Sequence, residues 1–391
     1  MEFVLFALTL AGVALFHRRT LEVALAGLAA IVIYKLATGG FHEGAGFAGL
    51  GAHFAAEWVV LSNLFALLMG FALLARHFED SRIPEALPAL LPDDWKGGVA
   101  LLAIVFVLSS FLDNIAAAII GGSMAASVYR ARVHIGYLAA IVAASNAGGS
   151  GSVIGDTTTT MMWIEGVPAI QVLHAYVAAG AAFLVFAIPA ARVQQRHAPI
   201  RRDPPAALTI DWAHATIVAV ILLAAVAANL YMNLWHAGPA ARFPFLGAAV
   251  WVALLATAAW RRPAWDVLPA TAKGSLFLLA LVACASLMPV EELPAPTWLS
   301  ALGIGFVSSV FDNIPLTKLA LEQGGYDWGV LAYAGGFGGS MIWFGSSAGV
   351  AISNRFPQAR SVGAWLRHGW FVALAYVTGF FVLVGVLGWR P

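Results

Sequence analysis

Apolar residues run along this chain in long, nearly unbroken stretches. A helix needs roughly 17 to 25 residues, most of them apolar, to cross a hydrocarbon layer about 30 Å thick. Eight stretches approach or reach that length, and we predict a spanning helix for each. They are 3–16, 20–38, 57–75, 172–191, 212–231, 244–260, 274–289 and 368–388.

Further apolar stretches are interrupted near their middle by polar residues and glycines. They are 98–128, broken at 109–114; 136–165, broken across 146–160; 298–323, broken at 312–315; and 329–354, broken at 335–349. Irregular backbone is tolerated at membrane depth only where it is buried in protein or lines a cavity. We therefore expect the breaks to meet in the interior, around a polar site.

Composition agrees with a membrane domain. Hydrophobic residues make up 61% of the 391 residues and charged residues only 10%, whereas a soluble domain has roughly a quarter charged residues. This excludes a soluble globular enzyme, and a net charge of +1 excludes a basic field that would hold nucleic acid. The single cysteine, Cys284, has no intrachain disulfide partner. The fold class is all-α polytopic, with one domain over 1–391.

The positions of Lys and Arg predict the orientation, because short cytoplasmic loops carry an excess of them. With both termini outside, and with 98–128 and 298–323 as re-entrant hairpins that do not cross, nearly all of the 21 Lys and Arg residues fall inside. The exceptions are Lys35, Arg242, Lys318 and Arg390. About ten crossings follow, with the first hairpin entering from the cytoplasm and the second from outside.

Two motifs occur in the same order in both halves of the chain. The segment 109–115 (SSFLDNI) matches 308–314 (SSVFDNI) at an offset of 199, and the Gly-Gly-Ser at 148–150 matches that at 338–340 at an offset of 190. Opposite entry sides would make the two halves an inverted-topology repeat. The first repeat core is 57–165, the second is 274–354, and a cytoplasmic linker at 192–211 joins them.

Aspartates at the breaks are candidates for ion binding. A carboxylate at membrane depth costs about 3 kcal/mol unless it faces protein, water or an ion. Amide, hydroxyl and backbone carbonyl groups surround Asp113, Asp156 and Asp312, and such oxygens are hard ligands suited to an alkali cation. We expect these three aspartates to contact such a cation. Each could instead simply cap a helix, although the duplication favours binding.

Other charged residues are weaker candidates. Glu57, Glu165 and His174 are expected at the interface, and the 41–57 stretch on the outer surface. Lys35 could extend its amine to the interface. For Lys318 the sequence leaves two roles open, a countercharge to Asp312 or a contact to an anion.

The string SNAGGSGSVIGDTTTTMMW at 145–163 resembles the signature of NhaD-type sodium/proton antiporters of the ion transporter superfamily. FDNIPL at 311–316 and GGSMIWFGSSAGVAI at 338–352 are similar to that family too. The resemblance implies a midplane site where Asp113, Asp156 and Asp312 contact sodium or lithium, with no cofactor and no catalytic residue. It also implies a homodimer and, for a bacterial protein, the inner membrane. The implied ligands are Asp113, Asn114, Asn146, Ser150, Asp156 and Thr157 in the first half, and Asp312, Asn313, Ser340 and Ser346 in the second.

Two other functions stay open at the level of sequence. Related motifs occur in citrate transporters of the same superfamily, so transport of a carboxylate with a cation or proton is the alternative. An intramembrane aspartyl protease is a third class, because Gly155-Asp156 and Tyr326-Asp327 resemble its two motifs. The chain has no P-loop sequence for binding ATP, so primary transport by this chain alone is not expected.

Overall fold

The computed structural model describes residues 1–16, 19–38, 40–201, 209–235 and 243–391. The regular structure of these residues is helical, and they contain no strand. The predicted linker 192–211 lies partly outside the described residues, as do Arg18, Arg202 and Arg242 of the charge pattern. The α-helices are α1 Glu2–Leu15, α2 Thr20–Thr38, α3 Gly46–Asp80, α4 Ile83–Ala86, α5 Trp95–Ser109, α6 Asn114–Val128, α7 Ile135–Ser150, α8 Thr157–Ile164, α9 Ala169–Leu173, α10 Ala175–His197, α11 Trp212–Trp235, α12 Phe245–Thr257, α13 Leu268–Ser286, α14 Trp298–Ser308, α15 Asn313–Gln323, α16 Trp328–Gly338, α17 Ser347–Arg355, α18 Val362–His368 and α19 Trp370–Leu387.

Several of these helices are long and apolar enough to cross a membrane. In the described residues the candidates are Thr20–Thr38, Gly46–Asp80, Ala169–His197, Trp265–Ser286 and Trp370–Leu387. Shorter apolar helices of 10–17 residues accompany them, including α1, α5, α6, α12 and α14. The protein is therefore an integral membrane protein. The count of ten crossings and the re-entrant course of the two hairpins stay predictions.

Each of the four stretches predicted to be interrupted is broken, at 110–113, 151–156, 309–312 and 339–346. Three of the breaks are shorter than predicted, and the third begins three residues before the predicted 312–315. The breaks separate α5 from α6, α7 from α8, α14 from α15 and α16 from α17. In each pair the second helix begins directly after a polar N-cap residue whose side chain accepts a backbone N–H. Ser, Asp and Asn are preferred at this position because they satisfy a donor that the first helical turn leaves free. The four caps are Asp113, Asp156, Asp312 and Ser346.

The centre of the molecule is formed by α7 and α16. Every residue of α7 from Gly136 to Ser150 is buried, and so is every residue of α16 from Gly329 to Gly338. A helix that is apolar on all sides is stable only where protein or lipid surrounds it, and these two helices also pack against each other. Their last turns bring the breaks of both halves into the interior.

Glycines set the distance between the helices at equivalent places in the two halves. A Cβ atom on Gly148 of α7 would overlap the carbonyl of Phe106 on α5, and one on Gly338 of α16 would overlap the carbonyl of Gly305 on α14. Only glycine permits such close backbone contact. The repeated Gly-Gly-Ser motif thus has a matching packing role in each half.

Helix α3 is longer than the sequence predicts. It begins at Gly46, so the 46–57 part of the 41–57 stretch is helical. One face of this part is exposed, as at Phe47, whereas His53 lies on the other face and is only 5% exposed. The fixed 1.5 Å rise per residue makes this helix about 50 Å long. Positions along α3 are therefore used below to locate other groups, and we call the two ends of this helix the Gly46 end and the Asp80 end.

Candidate functional site

The three intramembrane aspartates each cap a helix with one carboxylate oxygen. Oδ1 of Asp113 accepts the N–H of Ile115, Oδ1 of Asp156 that of Thr158, and Oδ1 of Asp312 that of Ile314, all at 3.0 Å. The capping role that the sequence allowed is therefore present at all three. It leaves the second oxygen of each carboxylate for other partners.

A buried hydrogen-bond network joins the breaks of the two halves. Asn114 Nδ2 donates to Oδ2 of Asp156 and to Oδ1 of Asn146, both at 3.2 Å. Asn146 Nδ2 in turn donates to the hydroxyls of Ser340 and Ser346, both at 3.0 Å. Residues that the resemblance assigns to two separate ligand sets are thus connected through one fully buried amide, that of Asn146.

The two halves are chemically unequal at this point. The offset of 190 pairs Asp156 with Ser346, and Asn146 with Gly336. A Cβ on Gly336 would lie 3.4 Å from Oδ2 of Asp156 and 3.1 Å from Cβ of Ser150. Glycine at position 336 thus lets the backbone of α16 lie close to the Asp156 carboxylate and to Ser150.

The remaining predicted ligands take different positions. Thr157 lines a cavity of about 10 Å³ with Asp113 and Asp156, which is about the space of one water molecule. The Ser150 hydroxyl donates to the Ala147 carbonyl of its own helix at 2.9 Å. Asn313 is buried, and its Nδ2 has no hydrogen-bond partner among the described residues.

Two larger cavities reach the aspartates. One of about 430 Å³ extends from Arg76 and Glu79, near the Asp80 end of α3, to Asp113. The other, of about 210 Å³, is lined by Asp312 and Ser346 together with Thr20, the first residue of α2. Both cavities contact Phe277 and Ser347, so they lie next to each other.

Lys318 does not pair with Asp312, so the first of the two roles that the sequence left open is not observed. Its Nζ lies 2.9 Å from Glu57, 2.7 Å from Glu165 and 2.6 Å from Glu322. The spacing of Lys318 and Glu322, four residues apart on one helix, could have indicated that pair. Nothing local in the sequence indicates the other two partners, because they come from distant helices.

Two further sequence candidates have structural partners. Lys35 is 7% exposed and donates to the carbonyl of Gly40 at 3.1 Å, so its amine is held within the protein. Both carboxylate oxygens of Asp327 accept backbone N–H groups, from Val330 and Arg390, at 3.0 Å. Asp327 is the N-cap residue of α16. Asp156 belongs to another part of the chain and lies beside Gly336, near the opposite end of α16. This separation, about 13 Å along the helix axis, does not fit a protease dyad.

Comparison with known proteins points to one group. No protein-family model matches the chain. Sodium/proton antiporter 1 of Arabidopsis thaliana is 26% identical over 287 residues, which are 64% of this chain and 48% of that protein. Sodium/proton antiporter 2 of the same plant is 27% identical, with 63% of this chain and 66% of that protein covered.

A bacterial relative is matched over more of its length. The Na(+)/H(+) antiporter NhaD of Vibrio parahaemolyticus is 25% identical, with 80% of this chain and 88% of that protein covered. The matched part spans about half the length of the first plant relative and about two thirds of the second. The chain is an integral membrane protein that is distantly related to proteins named sodium/proton antiporters.

Proposed function

We propose that this protein exchanges sodium ions for protons across a membrane by alternating access. One observation carries the proposal: Asp156 is buried among amides and hydroxyls, in a network that joins helix breaks of both halves. A buried carboxylate requires a neutralising partner. A proton or a sodium ion can each supply the positive charge, so the two compete for one place.

The geometry supports sodium as the second occupant. Asp156 lines a small cavity with Asp113 and Thr157, and the hydroxyls of Ser340 and Ser346 lie one amide away from its carboxylate. Carboxylate and hydroxyl oxygens are hard ligands. One larger cavity supplies a path to Asp113 from the Asp80 end, and the neighbouring cavity reaches Asp312. In the proposed cycle the breaks are then exposed to the opposite side, which is the usual arrangement in transporters built from repeats with broken helices.

Transport of a carboxylate is less well supported. A bound anion beside Asp113, Asp156 and Asp312 would need neutralising positive charge, and Lys318 does not supply it because this lysine already contacts three glutamates. Exchange of lithium, the inverted orientation of the repeats, a homodimer, external termini and a bacterial inner membrane remain parts of the proposal that follow from the sequence alone.

Purified protein in liposomes with an internal pH dye tests the exchange. External NaCl, LiCl, KCl and sodium citrate are compared, first for the native chain and then for Asp156→Asn. We expect sodium and lithium salts to move protons, potassium not to, and citrate to add nothing beyond its sodium. Asp156→Asn should abolish the response, because asparagine retains the helix cap but not the charge.

Asp266→Asn is the matched control, because Asp266 is exposed and lies before α13, outside the network. It should exchange like the native chain. Proton movement in the Asp156→Asn protein equal to that of the control would remove Asp156 from the mechanism. A response to citrate that sodium chloride does not reproduce would favour a carboxylate carrier.

A further inference from the structure

Lys318 is the centre of a charged cluster that the exchange site does not use. Its side chain is 1% exposed, although it carries a full ammonium charge, and it contacts the carboxylates of Glu57, Glu165 and Glu322. The three carboxylates lie on different elements: Glu57 on α3, Glu165 at the end of α8 and Glu322 on α15. Only the pair with Glu322 is internal to one helix. The other two pairs tie α15 to α3 and to α8.

The cluster lies on the Gly46 side of the aspartates. Glu57 precedes Leu64 by seven residues on α3, and Leu64 lines the small cavity shared by Asp113 and Asp156. This separation is about 10 Å along the helix. Helix α8 extends from Asp156 to Glu165, about 13 Å, and Lys318 follows Asp312 by six residues, about 9 Å. Three independent helices thus place the cluster about 10 Å from the aspartates.

An apolar layer fills the space between the cluster and the aspartates. Leu64 of α3, Met161 of α8 and Ile314 of α15 contact one another in a compact buried group that also includes Leu278 and Val282 of α13. Leu64 and Met161 are completely buried. The same three helices therefore supply both the apolar layer and the ion pairs above it.

Access is open on the other side. The cavity from Arg76 and Glu79 to Asp113 lies along the second half of α3, and Arg76 is about 18 Å beyond Leu64 toward the Asp80 end. The structure is thus open from the Asp80 end and sealed toward the Gly46 end. A transporter that alternates must at some point open this seal.

We propose that Lys318, Glu57 and Glu165 form the gate that closes the Gly46 side, and that opening this side separates Lys318 from both glutamates while its pair with Glu322 persists. The inference takes the alternating access of the proposed function as its premise. Glu322 travels with Lys318 because both lie on α15, so it keeps the ammonium partly neutralised when the gate is open. Leaving a buried ammonium without any partner would be far more costly.

The matched set of variants is Glu57→Gln, Glu165→Gln and Glu322→Gln. Each removes one carboxylate charge next to the same ammonium, yet only the first two weaken a contact between helices. A cysteine at Met161 reports opening, since this position is sealed in the present conformation. The native thiol is removed by Cys284→Ser, so that the reporter is the single cysteine. The rate of its alkylation by N-ethylmaleimide in detergent is then measured.

We expect Glu57→Gln and Glu165→Gln each to increase the alkylation rate roughly threefold to tenfold, the range for loss of a partly buried ion pair. Glu322→Gln should increase the alkylation rate by less than half as many fold. Equal rates in all three variants, or no change in any, would overturn the gate. Leu64→Cys on α3 is a second reporter if Met161→Cys does not fold, and the same ordering of the variants is required there.

Alkylation needs no ion gradient and no exchange, so the two proposals can fail separately. Proteoliposomes that move no protons, together with the expected order of alkylation rates, would leave the gate in place and overturn sodium/proton exchange. Normal exchange by the native chain, together with equal alkylation rates in the variants, would support sodium/proton exchange and overturn the gate.

Discussion

Asn114 Nδ2 lies 3.2 Å from Oδ2 of Asp156, although 42 residues separate them in the chain. Asn114 is the first residue of α6, which follows the break after α5. Asp156 is the N-cap residue of α8, which follows the break after α7. The contact therefore joins two breaks of the first half. Asn146 extends the connection to the second half through Ser340 and Ser346.

Neutralising Asp113 should impair exchange more than neutralising Asp312. Asp113 lines the same small cavity as Asp156 and Thr157, whereas Asp312 lies in the neighbouring cavity with Ser346. We expect Asp113→Asn to weaken the apparent sodium affinity about tenfold and Asp312→Asn by a smaller factor. Asparagine retains the helix cap in both, and sodium-dependent proton flux in liposomes measures the difference. Equal losses of sodium affinity would show that Asp113 and Asp312 contribute equally to ion binding.

Truncating Asn146 should reduce stability and exchange together. Asn146→Ala removes one of the two acceptors of the Asn114 amide and the amide that donates to the hydroxyls of Ser340 and Ser346. A buried polar group that loses its partner costs ~1–3 kcal/mol. Thermal unfolding in detergent and proton flux in liposomes report the two effects. Ser123→Ala removes a hydroxyl that donates to the carbonyl of Ile119 on its own helix, and should change neither.

Adding a methyl group beside Asp156 should weaken sodium binding. Gly336→Ala places this group 3.4 Å from Oδ2 of Asp156 and 3.1 Å from Cβ of Ser150. The contact with Ser150 is tighter than ordinary van der Waals contact, so the melting temperature should fall slightly, although alanine is favoured over glycine in a helix by ~1 kcal/mol. Gly303→Ala on α14 is the control, since a Cβ there meets no atom within 4 Å. If both variants keep native sodium affinity, the ion does not lie beside Gly336.

The apparent affinity for sodium should fall as the pH is lowered. In the proposed function a proton and a sodium ion compete for the same carboxylates. Lowering the pH by one unit raises the concentration of the competing proton tenfold. Proton flux measured over a series of sodium concentrations at several pH values gives this dependence. An apparent KM that is constant with pH would argue that the two ions use different groups.

Acid should destabilise the protein through His134, which caps α7. Its Nδ1 accepts the N–H of Gly136 at 3.1 Å, and its ring lies 5.3 Å from that of His197 and 5.1 Å from that of His368. Burial lowers the pKa of His134 below its usual value, and the charges of His368 and His197 lower it further.

The sign of this effect follows from proton binding. The unfolded chain takes up the His134 proton near pH 6.5, whereas the folded chain resists it to lower pH. Stability is therefore complete above this value and declines as the pH falls below it. His134→Asn retains a capping side chain that does not titrate, and should flatten the decline in melting temperature below pH 6.5. The exposed His42→Asn variant should leave the profile unchanged.

Much of the local structure could be predicted from the sequence. The helix breaks, and the three aspartates at three of them, are evident because polar residues and glycines interrupt long apolar stretches. The duplicated motifs also indicate that the breaks are equivalent, and the matched glycine contacts agree with this. The start of α3 could not be predicted, since the glycines and histidines of 41–57 are typical of a surface segment. Burial of His53 against Glu43 and Ser286 stabilises these turns as helix.

Local sequence is sufficient to specify a helical membrane protein, the places where its helices break and the polar groups at the breaks, because helix length and hydrophobicity are properties of continuous segments. Three contacts are visible only in the folded chain: Asn146 connects both halves, Gly336 faces Asp156, and Lys318 binds glutamates 153 and 261 residues away. Those contacts depend on how helices pack across the molecule, and no local pattern of residues specifies the partner.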